Sequence, residues 1–374
     1  MSGGDRGDGP LRGIRVLEFL APGPVQMAGM LLADLGADVL QVDRTSDSDR
    51  LSQPEQYDVL SRSQRRVHVD LKSSEGLEVA LRLAAQADVL LEGFRPGVME
   101  RLGIGPDVCM AANRRIIYAR STGWGRSGPL AAQAGHDINF VGLSGALNSI
   151  GPADGPPVTP LSLVGDFGGG GMYLALGVCA ALVYAGVSGK GQVVDTAMVD
   201  GAASLMGVFY GQLAAGAFVD KRGSNLADGG APFNTVYECA DVRYVAVGAM
   251  EERFYLRLLR GLSLEPDDFA DRFDRSKWPD YKRRIGSVFA RRSRDEWVAH
   301  FAELDACVSP VLSLYESMTY PHNAERGVFV DVAGVIQPSP TPRFSDSSLA
   351  TPLPLTVVDV DGATSAWDVA RPAG

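Results

Sequence analysis

The chain has 374 residues, of which 45% are hydrophobic and 21% are charged, and its formal net charge at pH 7 is −10. These proportions are ordinary for a globular protein with a sizeable core, and the length favours one large or two unequal domains. The acidic balance argues against a nucleic-acid surface, which needs a basic stripe. A few local arginines can still bind an anionic small ligand on such a protein.

The cysteines and histidines indicate neither a disulfide framework nor a local metal site. There are four of each, they are scattered, and no CxxC spacing occurs. Free thiols in a reducing compartment are therefore expected. Residues 1–10 form a polar, glycine-rich tail rather than a signal peptide, and the longest apolar stretch, 172–187, falls short of the ~20 residues of a membrane span. We expect a cytoplasmic protein without a membrane segment.

Strand and helix patterns alternate over the first third of the chain. Apolar runs typical of buried strands occupy 14–20, 38–42, 67–71, 88–92 and 116–121, and helical spacing occupies 25–35 and 75–87. The alternation predicts right-handed βαβ units and a parallel sheet, on which ligands lie beyond the carboxyl ends of the strands. Arg44, Arg95 and Arg120 stand at or just after such strand ends.

From residue 135 onward the pattern changes to glycine-rich helices. Strand-like runs follow at 235–239 and 244–247, and helical spacing at 252–262, 282–291 and 294–304. This part predicts a smaller α+β domain. The tail from about residue 331 is rich in Pro and Ser and is expected to pack along the first domain.

The glycine run at 168–171 lacks the spacing of a nucleotide-binding loop. No G-x-G-x-x-G occurs there, and the GKG at 189–191 lacks the earlier glycine and the following Ser/Thr of a phosphate-binding loop. The sequence favours glycines that let a helix approach another backbone closely. A dinucleotide-dependent oxidoreductase is disfavoured for the same reason.

Three titratable residues are candidates for acid–base chemistry, although each also has an ordinary structural role. Asp166 precedes the glycine run, where an Asp side chain can cap a helix. His136 is a lone histidine, but an imidazole suits proton transfer at neutral pH. Glu251 follows a strand and begins a helix, where an acid complements the helix dipole. The residues taken singly leave both roles open.

Their motifs and order decide between these roles. The relevant segments are LRGIRVLEF, LLADLGADVLQVDR, DVLLEGFRPGVMERLGIGP, IIYARSTGWGRSGP, AGHDINF, LVGDFGGGG, GKGQVVDTAMVDG and VGAMEERFY. Together they resemble the type III CoA-transferase family over about residues 11–330. AGHDIN, GDFGGG and GA-x-E resemble its racemase branch, whose substrates are α-methylacyl-CoA thioesters.

The resemblance implies an α/β fold with two domains. A Rossmann-like large domain would cover 11–200 and be completed by about 331–374, a linker would cover 201–230, and a small α+β domain would cover 231–330. It also implies an interlocked homodimer, whose active site forms between the large domain of one chain and the small domain of the other.

The resemblance also implies the roles of the site residues. His136 and Glu251 would act as one paired base, and Asp166 as the other. The acyl-CoA substrate would contact the residues that match the family's binding motifs, which are Arg44, Val69, Asp70, Leu71, Lys72, Gly93, Phe94, Arg95, Arg101, Gly135, Asp137, Ile138, Asn139 and Phe140.

The implied reaction is racemisation at C2 of a 2-methylacyl-CoA through an enolate, with no metal or redox cofactor. Inversion by proton transfer needs an acid/base group on each face of the carbon and donors at the thioester oxygen. The amides around Asp166 are candidate donors. Branched fatty acyl, bile-acid and arylpropionyl chains all fit this chemistry. The alternative is CoA transfer between carboxylic acids with Asp166 as an acylated nucleophile, and a non-catalytic acyl-CoA binder is a third reading.

Overall fold

The computed structural model describes residues 8–44 and 54–368. The polar tail at 1–10 and the polar run at 45–55 lie largely outside these ranges. The chain divides into two compact units. One comprises the residues up to Ser144, Leu161–Leu205 and the residues from Pro321 onward, and the other comprises Gly145–Pro160 and Met206–Tyr320. The domain bounds inferred from the sequence stay predictions.

Twelve strands occur in the described residues. In chain order they are β1 (Arg15–Phe19), β2 (Asp38–Asp43), β3 (Arg65–His68), β4 (Val89–Glu92), β5 (Ile117–Thr122), β6 (Val193–Ala197), β7 (Asn234–Glu238), β8 (Tyr244–Gly248), β9 (Val308–Pro310), β10 (Phe329–Val332), β11 (Val335–Pro338) and β12 (Thr356–Val357).

The described residues also contain fifteen α-helices and one π-helical segment, Leu163–Met172. The α-helices are α1 (Pro24–Asp34), α2 (Ser74–Gln86), α3 (Val98–Arg101), α4 (Pro106–Ala112), α5 (Asp137–Leu143), α6 (Ala146–Ser149), α7 (Tyr173–Ser188), α8 (Met198–Leu205), α9 (Gly207–Ala214), α10 (Glu252–Gly261), α11 (Trp278–Phe289), α12 (Arg294–Phe301), α13 (Leu314–Thr319), α14 (Pro321–Arg326) and α15 (Val360–Asp368).

The first unit is built on a seven-stranded parallel sheet. Its strand order is β12-β3-β2-β1-β4-β5-β6, and every pairing in it is parallel. The central strands β1, β2 and β4 are almost fully buried, as expected of strands covered by helices on both faces. The chain runs outward from β1 in one direction through β2 and β3, and from β4 in the other. The crevice between β1 and β4 is thus a topological switch point, where such sheets bind ligands. The predicted α/β fold is confirmed.

The second unit has a three-stranded antiparallel sheet of order β7-β8-β9. Helices α10, α11 and α12 pack on this sheet around one apolar core. The core includes Phe233, Phe269, Phe289 and Trp297. The predicted mixture of a small sheet and helices in this part of the chain is confirmed.

One continuous helical run, Leu163–Ser188, joins the π-helical segment to α7. By length and composition its 26 residues are sufficient to cross a membrane, and 39% of its most apolar window is buried. The sequence estimate of an apolar stretch over 172–187 was therefore too short. The run packs against α1, β5 and β6 on one side, whereas Leu176, Val183 and Val187 are 64, 71 and 88% exposed.

The glycine run of this segment serves close packing. A Cβ at Gly169 would lie 2.6 Å from the backbone nitrogen of Ala202 in α8, and one at Gly171 would lie 2.7 Å from Cβ of Met27 in α1. The interpretation of these glycines as packing positions is confirmed.

Candidate active site

A cavity of about 320 Å³ opens at the carboxyl ends of the central strands of the first unit. Its walls come from 21–25 after β1, 93–96 after β4, 121–124 at the end of β5, and from the loop that leads into α5. His136 and Asp166, two of the three proposed acid/base residues, both line it. The parallel sheet thus brings together two groups that are 30 residues apart in sequence, beyond the carboxyl ends of the strands, where the βαβ pattern predicts a ligand.

Asp166 lies within the π-helical segment, three residues after its start. The helix therefore begins earlier than the glycine run suggests, and the interpretation of Asp166 as an N-cap is wrong. The amides of Gly165 and Asp166 both donate to Oδ1 of Asp137, at 2.9 and 2.8 Å. Since these two amides already have an acceptor, neither is available to an oxyanion.

The surroundings of Asp166 favour its neutral form. Burial raises the pKa of its carboxyl above the ordinary value, and the negative charge of Asp137 raises it further. A hydrogen bond with Ser162 and the nearby His136 oppose this shift only in part. Gly23, the N-cap of α1, has a φ of 86°, and a Cβ there would lie 3.3 Å from Oδ2 of Asp166. A side chain at this position would therefore be strained and would crowd the carboxyl.

His136 is the N-cap of α5, with extended backbone angles. Its backbone amide donates to Oδ1 of Asn139 at 3.1 Å, which fixes the start of the helix. Phe140 is buried beneath the loop, because Gly123 and Gly135 leave room for its ring, and it meets Trp124 edge to face at a centroid distance of 4.7 Å. His136 is exposed and lines the cavity.

A second cavity of about 450 Å³ lies beyond the ends of β2, β3 and β4. It gathers six of the fourteen residues predicted to contact the acyl-CoA substrate, namely Arg44, Val69, Asp70, Leu71, Lys72 and Phe94, together with Val98 and Leu102. Phe94 lines both cavities, and the Arg44 guanidinium lies over its ring, 5.4 Å from the centroid. One cationic cavity and one acid–base cavity therefore share a wall.

The other predicted binding residues fall into two groups. Gly93, Arg95, Gly135 and Phe140 line the first cavity together with Phe94. Arg101, Asp137, Ile138 and Asn139 line neither of these two cavities. Arg101 is exposed on α3, and the side chains of Asp137 and Asn139 bond to backbone amides instead.

Glu251 belongs to the second unit. It is the exposed N-cap of α10, where its carbonyl oxygen accepts from the amides of Phe254 and Tyr255. Glu251 was predicted to lie in the first turn of the helix but is the N-cap, one residue earlier. Its carboxylate makes no capping hydrogen bond to α10.

Comparison with known proteins places the chain in a family. The model of CoA-transferase family III matches residues 11–355. The chain belongs to this family. It is 44% identical to the alpha-methylacyl-CoA racemase of Mus musculus over 90% of this chain and 86% of that protein. It is 44% identical to the racemase of the same name from Homo sapiens, over 86 and 82%. A crystal structure of a CAIB/BAIF family protein from Brucella suis shares the fold, with a TM-score of 0.81 and 24% identity over 96% of this chain and all of that one.

The sequence prediction missed the residues that support the loop after β4. Glu92 is buried at the end of β4, and its Oε2 accepts the amide of Phe94 at 2.8 Å. Burial raises its pKa to about 7. Beside it, Arg120 and Arg126 pair with Glu100 and Asp195. Arg120 therefore has intramolecular partners, although its place at a strand end had made it a candidate ligand.

Gly23 and the 121–124 segment were also missed. The sequence signal for both was available, because APGP follows the first strand and STGW ends the fifth. The rule that ligands bind beyond the carboxyl ends of parallel strands would have selected both segments.

Proposed function

We propose that this chain interconverts the two C2 epimers of 2-methylacyl-CoA thioesters by a two-base 1,1-proton transfer. The observation that carries the proposal is that His136 and Asp166, the residues at the racemase motifs, line one cavity. Its support from outside the structure is the 44% identity to racemases over most of the chain.

In this mechanism one group removes the C2 proton and the other returns a proton to the opposite face. A carboxyl that works in both directions must be neutral in one and ionised in the other, so its pKa should approach the operating pH. The burial and the Asp137 charge that raise the pKa of Asp166 act in this sense. Glu251 would orient His136 and stabilise its imidazolium, as the carboxylate of a catalytic triad does.

The enolate oxygen needs donors that the amides of Gly165 and Asp166 do not supply. The first-turn amides of a helix have no intrahelical acceptor. We assign this role to the amides of Asp137 and Ile138, because they directly follow His136, which lines the cavity. The next amide, that of Asn139, already donates to the carbonyl oxygen of His136 at 2.8 Å. Preorganised donors of this kind commonly contribute more to the rate than the bases do.

The cavity around Arg44 and Lys72 would bind the nucleotide end of CoA, and Phe94 marks the passage toward the reacting carbon. Binding energy from this remote part of the substrate then positions C2 between the bases. The proposed reaction uses no metal and no redox cofactor, since the thioester itself accepts the carbanion charge.

We further propose that the active unit is an interlocked homodimer with active sites shared between chains. The apolar side chains of α7 support this, because exposed contiguous apolar surface on a helix marks an interaction site. A second copy of the chain would cover them. Glu251 would then reach the histidine of the other chain.

Deuterium incorporation tests the reaction directly. Incubating the protein with enantiopure 2-methyldecanoyl-CoA in deuterated water, without any acceptor acid, should place deuterium at C2 and produce the other epimer. If the C2 proton and the stereocentre both persist, the proposal is wrong. CoA that moves only when a second carboxylic acid is added would identify the transferase alternative, in which Asp166 is a nucleophile.

A further inference from the structure

Asp137 connects the two proposed bases, His136 and Asp166. Neither its motif nor the cavity lining shows this connection. It is the first residue of α5, directly after His136, and only 7% of its surface is exposed. Its Oδ1 accepts the amides of Gly165 and Asp166, at 2.9 and 2.8 Å. The side chain of Asp137 is therefore hydrogen-bonded to the backbone of Asp166, and its backbone is covalently continuous with that of His136.

The fit around this contact is tight. A Cβ at Gly165 would lie 2.4 Å from Oδ1 of Asp137 and 3.0 Å from Cγ2 of Val141. Only glycine at position 165 lets the π-helical backbone come within hydrogen-bond distance of the Asp137 side chain. A buried carboxylate that accepts two amides at these distances makes strong, short hydrogen bonds.

We infer that Asp137 is a positioning residue that sets the separation of His136 and Asp166 and holds the Asp166 carboxyl in the cavity. This rests on the proposed racemase function. Without the side chain of Asp137, the π-helical backbone and the start of α5 have no direct polar link at this point. A displacement of about 1 Å at a reacting group can cost about 10²-fold in rate.

The electrostatic effect of Asp137 supplies a readout that a purely structural link lacks. Its negative charge raises the pKa of Asp166, after burial, whereas Ser162 and His136 lower it. The other titratable side chains on the elements packed against the π-helical segment are Asp34, Tyr118, Arg120, Tyr173, Cys179, Tyr184, Asp195 and Asp200. Among these, Asp34 pairs with Arg62, and Arg120 pairs with Asp195.

Two variants separate geometry from charge. Asp137→Asn keeps an oxygen that can accept both amides but removes the negative charge. We expect it to fold and turn over, with the limb of the kcat/KM profile that belongs to Asp166 shifted to lower pH. Asp137→Ala removes the acceptor, and we expect kcat to fall about 10²-fold with KM for the thioester nearly unchanged. Asp107→Asn, an exposed first-turn aspartate of α4, is the matched control and should match the wild type.

The measurements are C2 deuterium exchange and inversion of both epimers of 2-methyldecanoyl-CoA across the pH range, with CoA affinity and thermal unfolding of each variant. An unshifted pH limb in Asp137→Asn overturns the inference, whatever Asp137→Ala does. Full activity in Asp137→Ala overturns it as well. If the wild type itself exchanges no C2 proton, the proposed function has failed rather than the role of Asp137.

Discussion

The two proposed bases lie in one cavity, and the arginine and lysine proposed to bind the nucleotide end lie in the next. We therefore expect His136→Ala and Asp166→Ala to lower inversion at C2 by about 10²–10⁴-fold while affinity for CoA persists. Chiral analysis of the released acid and calorimetric titration with CoA measure the two quantities. Full inversion by either variant would show that the role of that residue is misassigned.

The close approach of the Gly165 backbone to the Asp137 side chain leads to a second prediction. Gly165→Ala should lower the free energy of unfolding by about 1–3 kcal/mol, because Asp137 or the π-helical backbone must move to admit the methyl group. It should also reduce turnover. Denaturant unfolding measures the first effect and C2 exchange the second.

Gly211→Ala in α9 is the control for that substitution. Nothing lies within 4 Å of a Cβ added there, so the change should be neutral or stabilise the helix by up to about 1 kcal/mol. Equal stability of the two variants would contradict the steric argument.

The turn after β4 is held by a titratable side chain, because Glu92 accepts the backbone amide of Phe94. The pKa of Glu92 is raised by burial to about 7, so the stability linked to its protonated form is complete below about pH 4.5 and is lost as the pH rises through about 7. We expect Glu92→Gln, which still accepts the Phe94 amide, to match the wild type near pH 5. At pH 8 it should be more stable by about 2 kcal/mol.

Thermal unfolding of both proteins between pH 5 and pH 8 measures this difference. Glu75→Gln replaces an exposed carboxylate on α2 and serves as the control. A Glu92→Gln protein whose stability falls with pH as steeply as that of the wild type would show that Glu92 does not titrate in this range.

The elements show which parts of the fold the sequence encodes locally. Strands β1, β2 and β4 were predicted to within a residue or two, because strands buried on both faces are continuous apolar runs. The edge strand β6 was missed, since in VVDTA exposed and half-buried positions alternate and no apolar run marks it. The short strand β12 consists of two exposed residues and exists only through its pairing with β3.

The site was predictable to a similar degree. Family motifs selected His136 and Asp166, and the structure brings these two into one cavity. The contact of Asp137 with the amides of Gly165 and Asp166 depends on a glycine 28 positions away and on a π-helical backbone. No local pattern encodes such a contact, so it could not be read from the sequence.

The exposed apolar face of α7 belongs to the scale of the whole molecule. If a second copy covers it, Leu176→Glu combined with Val183→Glu should produce monomers and abolish activity, because each charge would be buried without a partner. Sedimentation of the purified protein measures the mass. Val108→Glu, on the exposed side of α4, is the matched control. A wild-type protein that is monomeric and active would contradict the dimer.

Shared active sites make a sharper expectation. Coexpressed His136→Ala and Glu251→Ala chains should regain activity, because in a mixed dimer one site loses both residues and the other keeps both. Random pairing would restore about a quarter of the wild-type activity in a two-fold symmetric dimer. Each variant alone is the control. No recovery in purified mixed dimers would place His136 and Glu251 in the same chain.

The order of the strands in the seven-stranded sheet determines when each strand can find its partner during translation. Strand β3 pairs on its outer side with β12, which lies about 290 residues later in the sequence. The whole second unit is translated between them. While the ribosome makes that unit, β3 presents an unpaired strand edge, a surface prone to join other chains. The sheet is completed only after β12 has been translated. A chain that stops early would therefore expose this edge permanently, which makes premature termination a route to aggregation rather than to a smaller active protein.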